Sequence, residues 1–219
     1  MQLFYIRAAA CRFPRTEPMK PSAQPGSCSA TPPADTLPGT APDPHALQGR
    51  TGAAPPDFGA DVFRSVLGQF ATGVTIITTR APSGDLVGIT ASSFNSVSLT
   101  PPLVLWSLSL QSSSMPVFQR NSHYVINVLA ASQTDLCMRF ARTKGNRFEG
   151  VPYRTTAGGI PILDGALAWF ECHNRSRYAE GDHVIFVGEV ERCALNAEAA
   201  GAAPLVFHGG DFHTLNKLD

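Results

Sequence analysis

Three groups of residues in this chain have types and spacings that could do chemistry. The first is the stretch from Gly88 to Pro102, which carries six Ser and Thr hydroxyls in fifteen residues. Within it, Thr90, Ala91, Ser92, Ser93 and Phe94 combine small side chains with hydroxyls. Small side chains admit a ligand to the backbone, and hydroxyls with backbone N–H groups can hold a flat polar ring or a phosphate. The same composition also suits a Ser-rich turn that satisfies its own backbone. The second group is Arg139, Arg142, Lys144 and Arg147. Cations at a helix C-terminus complement its dipole, and a phosphate clamp is the functional alternative; Arg147, next to Phe148, lies beyond the helix. The third is Gly181-Asp182-His183. Gly-Asp is a hairpin turn signal, while an imidazole at the mouth of a site can bind a carboxamide or a phosphate, or move protons near neutral pH.

Other chemistries are missing. No GxGxxG follows a strand, and no GxxxxGK[ST], GxSxG or HExxH occurs. Cys172 and His173 are adjacent and would point to opposite faces of a strand, so they do not chelate one ion. His208 and His213 form only a pair, too few for a metal site, and no metal is expected. Lys+Arg and Asp+Glu both number 17, which favours neither nucleic acid nor an acidic membrane. Five cysteines without a CxxC argue against a disulfide framework and for a reducing cytoplasm. No apolar run reaches the roughly 20 residues needed to span a bilayer. The short apolar start, Met1 to Ile6, lacks the basic lead-in of a signal peptide.

The elements that must position these groups begin after a foreign segment. Eleven of the 18 prolines lie before Phe58, and Ser, Thr, Ala and Gly fill the gaps. Residues 1–57 are therefore expected to be disordered, either dispensable, with Met19 an alternative start, or a tether. Residues 58–219 form the folded domain. Val62, Phe63, Val66, Leu67 and Phe70 mark one apolar helix face. The β-branched run from Val74 to Thr79 predicts a strand, with a turn at Pro82–Asp85 and a returning strand at Leu86–Thr90. A strand over Leu103–Leu108 follows the double proline. A short helix capped by Ser114 comes next, then a strand over Tyr124–Leu129 and a helix opened by Ser132. Ala166–His173 and His183–Val190 form a hairpin across Glu180-Gly181-Asp182, and Pro204–His208 is a last short strand. The fold expected is mainly β with peripheral helices, an antiparallel barrel whose closure removes exposed edges. Charged residues make up only 16% of the chain against 43% hydrophobic, so much of the surface is expected to be covered, as by a second subunit.

Taken in order, these pieces resemble the short-chain flavin reductases of the FMN-binding split-barrel superfamily, the reductase components of two-component flavin monooxygenases. The residues that carry the resemblance are Phe70–Thr78, Gly88–Ser98 with Pro101–Val104, Asn127–Leu129, and Gln133 with Phe140-Ala141. Arg147-Phe148, Leu163–Cys172, Tyr178–Val190 and Pro204–Gly210 complete it. The resemblance covers about residues 60–215 and implies a Greek-key split barrel, a homodimer, and flavin near the subunit interface. It further implies that Thr90, Ala91, Ser92, Ser93 and Phe94 line the isoalloxazine and ribityl chain. Ser107 and Ser109 would contact the ribityl or phosphate, Arg147 the phosphate end, and His183 the entering nicotinamide. The implied activity is reduction of FMN, or FAD or riboflavin, by hydride from NAD(P)H, with reduced flavin passing to a partner monooxygenase. A tightly binding storage or sensing flavoprotein, or a reductase of another small acceptor, is the alternative. Neither FMN over FAD nor NADH over NADPH is fixed by the sequence.

Overall fold

The computed structural model describes residues 56–217. The disorder expected over 1–57 lies, up to residue 55, outside the described residues. The described chain opens with helix α1 (Ala60–Leu67) and a two-residue strand β1 (Thr72–Gly73). β2 (Thr75–Arg80) and β3 (Leu86–Ala91) form the first hairpin, and β4 (Asn95–Leu99) and β5 (Pro102–Ser109) the second. Then come α2 (Met115–Arg120), β6 (His123–Val128) and α3 (Thr134–Arg142). The short pair β7 (Tyr153–Thr155) and β8 (Pro161–Leu163) precedes two long strands, β9 (Ala168–Glu180) and β10 (His183–Leu195). β11 (Val206–His208) and β12 (Asp211–His213) close the described chain.

Seven strands make one antiparallel sheet in the order β3-β2-β6-β9-β10-β5-β4. Period-2 alternation curls this sheet around one apolar interior. Ile77, Ile89, Ala91, Val104, Trp106, Leu108, Tyr124, Ile126, Val184 and Phe186 all point into it. Trp106 stacks on Phe186 with centroids 4.6 Å apart and meets Phe118 edge-on at 5.1 Å. Each such fully buried aromatic stabilises the fold by about 2–3 kcal/mol. A second core lies outside the sheet, where Phe140 and Cys137 of α3 meet Ile76, Leu129, Phe148, Leu163 and Leu205. Gly88 makes this seam possible: a Cβ there would overlap the Phe140 ring and press on Phe148.

The expected mainly-β, antiparallel barrel with peripheral helices is what forms. Several details differ. β9 and β10 each run 13 residues, well past the predicted ends. The distal part of β9, Asn174–Glu180, is polar and largely exposed, so it shows no apolar alternation; cross-strand pairing to β10 supplies its order. β4 forms inside the hydroxyl-rich stretch by pairing with β5. Ser132 does not cap α3. The Gln133 side chain instead accepts the Ala130 N–H at 3.1 Å, and the Thr134 hydroxyl donates to the Ala131 carbonyl. Ser114 makes no side-chain cap on α2. No residue of α1 is buried, and Val66 and Phe70 are 65% and 75% exposed. No helix among the described residues is long and apolar enough to cross a membrane.

Candidate functional site

The two long strands and β5 build one face of the site. Along β5, Val104, Trp106 and Leu108 point inward, so Leu105, Ser107 and Ser109 point outward. Along β10, Val184 and Phe186 point inward, leaving His183 and Ile185 outward. The register sets His183 beside Ser109 and Ile185 beside Ser107. The 92–94 segment is pinned to the same face. Ser93 Oγ accepts the Ser107 N–H at 2.9 Å and lies 3.3 Å from the Ser107 carbonyl, to which it donates. Phe94 instead turns toward the barrel interior, where it packs on Phe170 with centroids 5.6 Å apart. Ser109 Oγ accepts the Gln111 N–H at 3.2 Å. Thus Ser107, Ser109 and His183, far apart in sequence, gather on one outer surface, with Ser93 fastened to the β5 backbone that carries it.

His183 stands out on this surface. Its Nδ1 lies 2.8 Å from Asp182 Oδ1, and its Nε2 is enclosed with no hydrogen-bond partner. The hydrogen bond to His183 holds the Asp182 carboxyl below the usual carboxylate range. His183 Nε2 is one of six buried side-chain atoms without a partner among the described residues, and a buried nitrogen without a partner is costly and marks a place where a ligand can supply the missing bond.

The seam between β3 and α3 is built differently. Thr90 is 1% exposed, and its hydroxyl donates to the Cys137 carbonyl at 2.7 Å. Ala91 faces the sheet interior, and its carbonyl accepts the Thr75 hydroxyl at 2.8 Å. Ser92 is buried at the end of β3. Arg147 Nη1 donates to the Gly88 carbonyl at 2.6 Å and Nε to the Thr143 carbonyl at 2.9 Å. Burial lowers the Arg147 guanidinium below its ordinary value. With Lys144, Gly88, Ser113 and Ser114 it lines a cavity of about 410 Å³. Ser113 and Ser114 were legible in the sequence only as a helix start, although a Ser-Ser-Ser run beside a cationic loop is also an oxygen-rich wall.

Another cavity, of about 780 Å³, is lined by Arg80, Arg120, His123, Glu171, Glu191 and Arg192 among others. Several of its charges pair internally: His123 Nε2 lies 3.3 Å from Glu191 and Arg192 3.7 Å from Glu171. None of the residues singled out from the sequence lies in it.

The arrangement offers a cation-lined cavity, a hydroxyl-bearing sheet face and an imidazole with one bare nitrogen, and among the described residues no hydroxyl is hydrogen-bonded to that imidazole. Such a site binds and orients, and leaves the chemistry to what it binds. Comparison with known sequences decides what that is. The sequence pattern of the Flavin reductase like domain matches residues 67–216. The chain belongs to the flavin reductase like family. It is 45% identical over 155 residues to the FMN reductase (NADH) SmoA of Agrobacterium fabrum, covering 71% of this chain and 86% of that one. It is 40% identical over 154 residues to the reductase component of the flavin-dependent trigonelline monooxygenase of Acinetobacter baylyi, covering 70% of this chain and 48% of that one. Among solved structures, the NADH:FAD oxidoreductase of Streptomyces globisporus, seen with NAD and FAD fragments, superposes with a TM-score of 0.66 at 33% identity. That match covers 70% of this chain and 91% of the other. The split barrel of this flavin reductase is therefore the family's fold, and its cofactors are flavin and NAD(P)H.

The residues present fit a flavin. Arg147 and Lys144 supply positive charge in a cavity whose lining has no carboxylate, as a phosphate requires. The β5–β10 face supplies hydroxyls and an unmatched imidazole nitrogen beside exposed apolar surface.

Proposed function

We propose that this flavin reductase binds flavin between the Arg147 cavity and the β5–β10 face, receives reduced nicotinamide at His183, and delivers reduced flavin to a partner monooxygenase. The observation that carries the reading is His183 Nε2, enclosed and without a partner, on the same face as Ser107 and Ser109. Hydride acceptance is the chemistry that a bound flavin supplies. The protein's own part is orientation. Ser93, fixed to the Ser107 backbone, holds the 92–94 segment against β5; Arg147 and Lys144 attract a phosphate; His183 meets the nicotinamide. Holding two flat rings in register accounts for much of the rate without an acid, base or nucleophile of the protein. Thr90 and Ala91 serve the site through backbone position, since their side chains are engaged elsewhere.

The monooxygenase partner is supported by relatives such as the trigonelline monooxygenase reductase component. NADH is supported as donor by the names of the Agrobacterium and Streptomyces relatives. A homodimer is supported by α1, whose apolar stripe is uncovered in one protomer, and by exposed Val97 and Leu99 on the edge strand β4. Free thiols at Cys137, Cys172 and Cys193 suit the cytoplasm. The test is oxidation of NADH or NADPH with and without added FMN or FAD. Turnover that requires excess free flavin is expected. A tightly held yellow cofactor without such turnover would instead favour a storage or sensing flavoprotein. Light scattering giving a monomer with full activity would remove the dimer.

A further inference from the structure

Asp182 was legible in the sequence only as a turn residue. In the structure its carboxylate meets the His183 ring and its own backbone N–H. A carboxylate can only accept, so the ring nitrogen that faces it, Nδ1, carries the proton. In neutral imidazole the other nitrogen then has a bare lone pair, and that nitrogen is the enclosed, partnerless Nε2.

The backbone keeps this pair in place. Gly181 takes φ +58°, the left-handed conformation that lets the chain reverse at the hairpin tip. The Asp182 carbonyl accepts the Leu110 N–H at 2.9 Å, tying the turn to the end of β5. His183 itself sits in register between Glu180 of β9 and Ser109 of β5. Two strands and a turn therefore fix where the His183 ring stands relative to Asp182. Asp182 is 85% exposed, so the bond competes with water, and this backbone framing rather than ion-pair strength maintains it.

We propose that Asp182 is a positioning residue that holds His183 as a hydrogen-bond acceptor at Nε2, making the site selective for a ligand that presents an N–H donor there. The selected chemistry is the carboxamide of a nicotinamide over the carboxylate of the corresponding nicotinic acid. This rests on nicotinamide meeting His183, as proposed above. An amide N–H₂ donates to the lone pair; a carboxylate oxygen would oppose it, lone pair against lone pair. Sites that reject a ligand by leaving polar groups mismatched discriminate far more sharply than sites that reject by shape.

The experiment uses the full-length chain labelled with ¹⁵N, with the His183 imidazole assigned from the signals lost in His183→Ala. Long-range ¹H–¹⁵N spectra report the tautomer, and titration reports the dissociation constants of NAD⁺ and nicotinic acid adenine dinucleotide. The wild type is expected to hold the proton on Nδ1 and to prefer NAD⁺. Asp182→Ala is expected to release the tautomer and to lower that preference by about 10-fold or more, the scale of one mismatched hydrogen bond. Asp182→Asn, which keeps the shape and can turn its amide N–H toward Nδ1, is expected to do at least as much. A wild-type proton on Nε2, or a tautomer that ignores both substitutions, overturns the proposal. So does a released tautomer with unchanged preference. In that last case His183→Ala separates the two readings. Loss of the preference in His183→Ala alone keeps nicotinamide at His183 and discards the role of Asp182, whereas unchanged NAD⁺ affinity discards the nicotinamide placement itself.

Discussion

Thr90 and His183 both belong to motifs that invite a functional reading, and the structure treats them oppositely. Thr90 lies in the seam between β3 and α3, where its hydroxyl is fully engaged by the Cys137 carbonyl. His183 lies at the open end of β10, where one ring nitrogen is engaged by Asp182 and the other by nothing in the protein. A polar group whose capacity is met internally stabilises the fold. One whose capacity is left unmet in an enclosed position is available to a ligand. The hydroxyl-rich stretch is thus divided: its first part fastens a helix to the barrel, and its later part, at Ser93, fastens the segment to the face that His183 shares.

Substitutions can break or sharpen this contrast. The largest kinetic effect is expected for His183→Ala, with kcat/KM for NADH falling about 10- to 100-fold, the worth of one hydrogen bond to a buried nitrogen. The KM for flavin should stay near wild type, which steady-state kinetics would check. Arg147→Ala is expected next. It should raise the KM for FMN about 10-fold, as loss of a charge-assisted phosphate contact would. The KM for riboflavin, which has no phosphate, should change little; equal effects on both would remove the phosphate role. Thr90→Val should act on stability alone, costing about 1 kcal/mol. In a domain of this size that is roughly 2–4 °C in Tm by thermal melt, with unchanged kinetics.

The smallest effect concerns the buried thiols. Burial pushes the Cys137 thiol up to about 12, against a weaker opposing pull from the Thr90 hydroxyl, and pushes Cys172 up further. Because the folded-state value lies above the unfolded one, the stability these thiols contribute is complete below about pH 8.5. It is lost as pH rises toward the folded values. Peptide mapping after alkylation at pH 8 should therefore find exposed Cys193 modified, with Cys137 and Cys172 modified only on unfolding.

Much of the fold was legible because burial writes a period into the sequence. The run Val74–Thr79, the hairpin at Glu180-Gly181-Asp182 and the apolar strand after the double proline all signal their structure locally. The distal part of β9 was not legible, because Asn174–Glu180 is polar and owes its order to β10. Ser114 does stand at the N-cap of α2, without a side-chain bond, whereas at α3 the local bonds of Gln133 and Thr134 take the place expected of Ser132. In the site, residue types could nominate Thr90 and Ser93 alike. Which hydroxyl turns toward α3 and which toward β5 depends on strand phase and on the approach of Phe140 over Gly88, and neither is written locally. A side-chain role for Asp182 was not legible for a related reason: Gly-Asp suits a turn so well that the turn explains it fully until the side chain is seen against His183.

The most direct test of this division is to follow single side chains while the donor's oxidised form binds. On titration with NAD⁺, the His183 imidazole resonances should shift progressively to saturation, while the Thr90 methyl resonance stays fixed. A Thr90 methyl that shifts with NAD⁺ while the His183 imidazole does not would contradict the account.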